Sequence, residues 1–290
     1  MKQILDKIEI PSLPTSIIKI EAILNSSDFE VSKMAAIINE DQGLISYVLK
    51  SANSPLYGFK NEINSVHRAI ALFGKSLIKA WVYQTIMKAV FDKNISAYEI
   101  DTEILSELSK KQTAFAIQWA NIEFPDFKDK IGFFAFMMEL GKIPFSILLK
   151  TNNKDIEFFS KFKEAKQSEI AIIEKEFADI TSYEFSYLLF EKWNMDNELV
   201  NVMKFIDCPE IAEEELSLKF DNQKLAKQLG KIAKVLHIVK NIFSLKILSD
   251  EELNDILVKA ESFGFNRKNI MQVLNKITAS EGGCFLLSRK

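Results

Sequence analysis

Glycine and proline are scarce in this chain, 9 and 6 in 290 residues, about 5 % together where ordinary usage is about 12 %. So few turn residues exclude a many-turned sandwich, barrel or propeller, and equally a collagen-like or disordered chain. Long helices with few connections remain. Cysteine is as sparse: Cys208 and Cys284 stand far apart in no paired motif, which argues against a disulfide framework and for a reducing cytoplasmic setting. Histidine occurs only at His67 and His237, so a metal site would lack its commonest nitrogen ligand. Long apolar runs are missing too, since the longest, Ile131 to Met138, has eight residues against the roughly 20 of a membrane-spanning helix. The opening Met1-Lys2-Gln3 meets Asp6, Glu9 and Pro11 before the apolar centre of a signal peptide could form. Neither export nor a membrane span is expected. Charge of one sign is also lacking. The 37 basic and 40 acidic residues leave a net charge of -3, poorly suited to gripping a polyphosphate backbone.

What is present is apolar residue at helical spacing. The hydrophobic share is 48 %, with 23 Phe, and 27 % charged residues solvate the outside. Pro11-Ser12-Leu13-Pro14 interrupts the chain and Thr15 can cap a first helix carrying Ile17, Ile20, Ile23 and Leu24. A second follows from Val31 to Asn39, and a third from Asp41 to Ala52 carries Leu44, Ile45, Val48, Leu49 and Ala52 on one face. If that face is core, Leu49→Ala should cost roughly 2 to 5 kcal/mol. A helix from about Ser65 ends at Gly74, after which Ser76 can cap the next through Trp81. The polar stretch Asp92 to Asp101 reads as a connection, and helices are predicted near 102–120, 127–149 (interrupted around Gly141 and Pro144), 153–163, 168–177, 181–193 and 196–206. Leu225, Leu229, Ile232, Leu236, Val239 and Phe243 draw a narrow stripe, read as a packing seam within the chain. Two last helices carry Leu253 to Ala260 and Ile270 to Ile277, before Gly282-Gly283 releases a tail. No segment alternates convincingly enough to predict a sheet. The fold class is all-α.

Familiar motifs fail on inspection. Phe73-Gly74-Lys75-Ser76 has the end of a phosphate-binding loop, but position 69 is Ala69 where that loop needs glycine. The short helices around Ile37 and Leu44 have helix-turn-helix spacing, yet Lys33 and Lys50 are cancelled by Glu40 and Asp41. His67 and His237 read as surface, capping or half-buried residues, and neither Cys has an imidazole beside it in sequence to make it a nucleophile.

One pattern is far more specific. Ile10-Pro11-Ser12-Leu13-Pro14, Ile38-Asn39-Glu40-Asp41, Leu49-Lys50-Ser51-Ala52-Asn53-Ser54-Pro55-Leu56-Tyr57-Gly58, Ile63, Ala69-Ile70 and Leu72-Phe73-Gly74 closely resemble the opening half of the HDOD module. Phe134-Ala135-Phe136-Met137-Met138-Glu139-Leu140-Gly141-Lys142-Ile143 resembles the segment that carries the His-Asp pair in HD phosphohydrolases, and Tyr183 through Met195 resembles the family helix ending in tryptophan. The resemblance covers about residues 10–206. It implies an HDOD module over residues 1–206, in which 1–100 form an N-terminal helical half and 101–206 a degenerate HD-like half. A helical region over 207–290 then packs on the HD-like half or completes it.

In HD hydrolases two His and two Asp hold a divalent metal that activates water against a phosphoester. By this resemblance Met138 and Glu139 stand at the adjacent His-Asp pair, Lys111 near the earlier His and Lys240 near the later Asp. A thioether is too soft for Mg or Mn, and an ammonium repels the cation. Four degenerate positions thus offer one carboxylate, and the resemblance implies a non-catalytic signalling or output module with no metal and no cofactor. A protein partner in a bacterial regulatory pathway, or a small ligand in the degenerate cleft, is expected. Asn53, Ser54, Tyr57, Glu139 and Lys142 are the candidate binding residues, although Asn53 and Ser54 also suit a turn enforced by Pro55, and Glu139 and Lys142, three apart on a helix, suit a mutual ion pair. Two alternatives stand beside this reading: a surviving metal-dependent phosphohydrolase using Glu139, and nucleic-acid binding through the N-terminal helices, which the charge balance disfavours.

Overall fold

The Asp41 carboxylate accepts from the backbone N–H of Gly43 (2.7 Å) and Leu44 (3.1 Å), and this cap starts a helix at the residue the sequence marks. The computed structural model describes residues 30–59, 61–90 and 94–280, together with Lys19, Ile20 and Ile23. The Pro11–Pro14 stretch, the Thr15 cap, Cys284 and the Gly282-Gly283 tail lie outside the described residues. Two short helices, α1 (Val31–Ile38) and α2 (Gln42–Ala52), lead through a 3-10 turn (Pro55–Tyr57) into α3 (Val66–Val90). On α2 the buried apolar residues are Leu44, Val48 and Ala52, whereas Leu49 is half-buried. The core face is therefore narrower than the spacing suggests, and Leu49 sits at its edge. α3 is two helices in one: Gly74 alone has non-helical dihedrals, φ 76° and ψ 161°, a conformation open to glycine because it has no Cβ. Gly74 ends the first segment and begins the second, so Ser76 lies inside the second helix and not at its cap.

The connection after α3 holds a small hairpin that periodicity could not reveal. Strands β1 (Asn94–Ile95) and β2 (Ile100–Asp101) pair antiparallel, Ile95 opposite Ile100, around a 3-10 turn that buries Tyr98. Two-residue strands are too short to show alternation. Asp101 then caps α4 (Thr102–Glu123), and α5 (Lys128–Met137) and α6 (Lys142–Thr151) follow, joined by a 3-10 turn at Met138–Gly141. Pro144 does not interrupt α6, because in the first helical turn its missing N–H has no partner to lose. The stretch Pro125–Thr151 is long and apolar enough to cross a membrane, and 94 % of its most apolar window is buried inside the fold; its composition is that of a central core element.

Four short helices come next, α7 (Asp155–Glu164), α8 (Ile170–Ala178), α9 (Ser182–Lys192) and α10 (Asn197–Met203). Then come α11 (Ala212–Lys219), which has no clear apolar periodicity, and α12 (Gln223–Ile242), α13 (Asp250–Ser262) and α14 (Arg267–Ser280). The α12 stripe is an intrachain seam: Leu229, Ile232, Leu236 and Val239 are fully buried against α4, α5 and α10. Aromatic pairs tie the later helices to the middle of the chain, Phe243 lying 5.2 Å from Phe115 and Phe265 5.1 Å from Trp119, contacts each worth about 0.5–1.5 kcal/mol beyond their burial. One glycine positions everything that follows. A Cβ on Gly141 would stand 1.9 Å from the Ser182 carbonyl oxygen and 2.5 Å from Ser186 N, so only glycine lets α9 press directly on the Met138–Gly141 turn.

Candidate functional site

That close approach brings three carboxylates and two lysines under one wall. Gly141 N donates to Ser186 Oγ (2.9 Å), which donates in turn to the Met138 carbonyl (2.8 Å), clamping turn to helix. Met138 is fully buried in the apolar core, while Glu139, 1 % exposed, faces the other way. Its Oε1 accepts from Gln112 Nε2 (2.7 Å) and the Tyr183 hydroxyl (2.8 Å). Its Oε2 lies 2.8 Å from Lys142 Nζ as an ion pair, but not in hydrogen-bonding geometry. Lys142 reaches the Ser182 hydroxyl at 3.3 Å. A second buried carboxylate, Glu174, accepts from the Tyr98 hydroxyl (2.6 Å), from Ser182 Oγ (2.9 Å) and from Ser182 N (2.7 Å). The third, Asp207, is ion-paired with Lys240 and accepts from Thr181 Oγ1 (2.5 Å). The Tyr183 ring is the common surface, its centroid 4.4 Å from Lys142 Nζ and 4.5 Å from Lys240 Nζ, within cation–π reach of both.

Burial and neighbouring charge oppose one another throughout. Burial pulls the Lys142 ammonium down, yet the carboxylates of Glu139 and Glu174 outweigh it and hold the group above its ordinary value. Burial pushes Asp207 up, and the Lys240 ammonium with the Thr181 hydroxyl brings it below the usual carboxylate range. For Glu174 burial wins over Lys142, and its carboxyl is raised. Tyr98 and Tyr183 are both pushed far up, by burial first and by the carboxylates they serve. His237 donates its Nδ1–H to the Ile206 carbonyl (2.8 Å), since a carbonyl only accepts. Burial and the nearby Lys240 push its imidazole down to about 4. Glu139, Lys142, Glu174, Tyr183, Asp207, His237 and Lys240 line a cavity of about 310 Å3, together with Gln167, Glu252 and Ile256.

Two of the four degenerate positions meet here. Glu139 and Lys240 line the cavity, Met138 turns into the core, and Lys111 is half-buried outside the lining. It is Gln112, one residue further on, that reaches Glu139. Asn53, Ser54 and Tyr57 lie elsewhere. The Asn53 amide bonds Leu49 O (2.9 Å) and Ile63 O (2.8 Å) and accepts from Ile63 N (2.8 Å), pinning the loop after α2. Ser54, half-buried, opens the 3-10 turn without a side-chain cap. Tyr57 packs edge-on against Phe73 (4.8 Å) and near Trp81 (6.0 Å). Among the described residues no group of three or more His, Cys, Asp or Glu converges on a point that could hold a metal ion. The donor set does not fit one: each acid nearest the degenerate positions already faces a protein ammonium.

The sequence matches the model of the HDOD domain over residues 10–209. The chain belongs to the HDOD domain family. Solved structures share the fold. A virulence factor from Campylobacter jejuni is 25 % identical, with a TM-score of 0.54 over 96 % of this chain and 99 % of that one. A candidate phosphohydrolase from Shewanella amazonensis is 18 % identical (TM-score 0.69, 98 % and 97 % covered). An HDOD domain protein of unknown function from Geobacter sulfurreducens is 15 % identical (TM-score 0.64, 97 % and 94 % covered). No curated protein matches the sequence. In this HDOD chain the residues that sequence reasoning missed are Gln112, Tyr98, Glu174, Asp207 and the cavity face of His237. Only Glu174 carried a signal: it sits between Ile170 and Phe177 on the apolar face of α8, where an unpaired carboxylate would be expensive.

Proposed function

We propose that this HDOD protein is a signalling or output module that acts by binding and not by catalysis. The observation supporting it is the occupancy of the degenerate cleft by internal ion pairs. Glu139 is matched by Lys142, and Asp207 by Lys240. A divalent ion would have to sit beside ammonium groups fixed by buried carboxylates, and Coulomb repulsion opposes it. The test is an assay of the purified chain against nucleotide and cyclic-dinucleotide phosphoesters with Mg, Mn and Fe. No metal-dependent turnover is expected; turnover abolished by Glu139→Ala would establish a residual hydrolase and end this reading. The description of the Shewanella amazonensis relative as a candidate phosphohydrolase makes that the reading to test first.

The partner in this proposal is a protein of a bacterial regulatory pathway in the cytoplasm, met by the loop surface around Asn53, Ser54 and Tyr57 or at the cleft that Glu139 and Lys142 line. Affinity capture with the intact chain, Tyr57→Ala and Lys142→Ala, each variant first shown to be folded by circular dichroism, separates the two, because loss of a partner in one folded variant alone identifies the working face. Nucleic-acid binding through the N-terminal helices is disfavoured, since Lys33 pairs with Glu30 (2.9 Å) and Lys19 with Glu40 (3.5 Å). Absence of any salt-sensitive association with DNA or RNA is the expected result.

A further inference from the structure

Exposed apolar side chains scattered singly need no explanation, but on two helices of this chain they share a face with unmatched charge of one sign. On α11, Ile211, Glu214, Glu215 and Leu218 recur at the i, i+3, i+4, i+7 spacing of one helical face, and all four are exposed, Leu218 at 82 % and Ile211 at 48 %. The opposite side of α11 is spent on α12, with Ala212 and Leu216 buried. Glu213 has Lys234 at 3.9 Å, whereas Glu214 and Glu215 pair with no cation among the described residues. The first segment of α3 carries the opposite sign. His67, Arg68, Ala71 and Leu72 are exposed together, Leu72 at 45 %, and Phe59, 46 % exposed, meets Phe73 edge-on at 5.3 Å at the same end of the segment. Arg68 pairs with no acid among the described residues, and between Asn53 and Ala80 the sequence has one acid, Glu62, against four Lys or Arg. Each face thus offers two large apolar side chains and uncompensated charge, with the sign reversed between them. A net charge of -3 over 290 residues gives little repulsion to hold two copies apart.

From these two faces we infer that the chain associates with itself head to tail, the α11 face of one copy docking on the α3 face of a second. Ile211 and Leu218 pack against Leu72 and Phe59, and Glu214 and Glu215 lie beside Arg68. Because each bound copy keeps one face free, the contact closes into a ring or extends into a filament according to the rotation between neighbours. One short helix against one helical segment covers less than a standard interface, so the association is weak, and its charged flank makes it sensitive to salt. This inference goes beyond the cleft and holds whether or not the cleft is catalytic.

Sedimentation velocity on the full chain, from about 10 to about 500 µM, tests it. A sedimentation coefficient that rises with concentration is expected, and about 0.5 M salt should suppress the rise. Leu218→Lys, Arg68→Glu and the double variant Glu214→Lys with Glu215→Lys should each weaken association about tenfold or more. Circular dichroism confirms that each is folded; should a charge variant fail to fold, Leu218→Lys decides, because at 82 % exposure its replacement leaves the core alone. Mixing gives the sharpest readout. Arg68→Glu keeps a working α11 face and the double variant a working α3 face, so the two, each monomeric alone, should form a dimer of one copy of each and nothing larger. A chain that stays monomeric across the whole range leaves the two faces to unlike partners and overturns the inference. Association that salt does not touch, association that persists in the folded variants, or a mixture that remains monomeric overturns it equally.

Discussion

Replacing His237 by asparagine isolates one electrostatic contribution to stability. The histidine has an ordinary value of 6.5, held down to about 4 in the fold by burial and by Lys240, against the weaker pull of Asp207 and Glu210. Below about 6.5 the unfolded chain takes up a proton that the folded chain refuses. Stability is therefore fully present above that value and is lost as pH falls toward about 4. The slope approaches about 1.4 kcal/mol per pH unit, for about 3 kcal/mol across the window and about 1 kcal/mol between pH 7 and pH 5.5. Asparagine can still offer an N–H to the Ile206 carbonyl, which the ring does at 2.8 Å, but does not titrate. Glu174, with its carboxyl raised by burial, works with the opposite sign in this range, and Asp207 and Glu210, held low by lysines, lose their contribution mainly below it. Glu174 is common to both proteins and cancels in the difference, and His237 is the smallest of the causes that lower Asp207 and Glu210, so their contributions nearly cancel. Urea unfolding followed by circular dichroism, at several pH values between about 7 and 5, measures that difference. The gap between wild type and His237→Asn should change by about 2 kcal/mol over that range; parallel curves would refute the buried, neutral imidazole.

Lys142→Met removes the cation from two buried carboxylates and should destabilise by about 3–5 kcal/mol in urea, whereas a loss under about 1 kcal/mol would mean that solvent reaches them. Gly141→Ala, whose Cβ has no room beside Ser182 and Ser186, should cost about 3 kcal/mol or more in the same measurement; wild-type stability would mean that α9 can retreat from the turn. Gly74→Ala, at φ 76° with open space around the added methyl, should cost about 1–3 kcal/mol through backbone strain alone. Leu44→Ala, 2 % exposed, should lose about 2–5 kcal/mol and half-buried Leu49→Ala clearly less. Equal losses would place Leu49 in the core after all.

Periodicity and punctuation made most of the helices legible. The helix starts at Asp41 and near Thr102, the stop at Gly74 and the α12 stripe each depend on neighbours close in sequence, and the structure places elements there. α11 and the hairpin around Tyr98 were not legible, the first because its face is mixed, the second because its strands have two residues each. The Glu139–Lys142 pair could be read from a spacing of three.

The composition, the helical period and the HDOD pattern were thus settled by the sequence alone, because each is a property of local order along the chain. Tertiary structure decided which residues share the cavity: Glu174 and Asp207 meet Glu139, Lys142 and Lys240, with Gln112 bonded to Glu139 from behind, across separations that no spacing rule spans. It also decided that Gln112 rather than Lys111 faces the carboxylate, since a step of one residue turns a side chain about 100° around a helix. Whether a buried acid is matched by a lysine or by a metal depends on what packing brings within a few ångströms, and that distance exists only once the helices have closed around it.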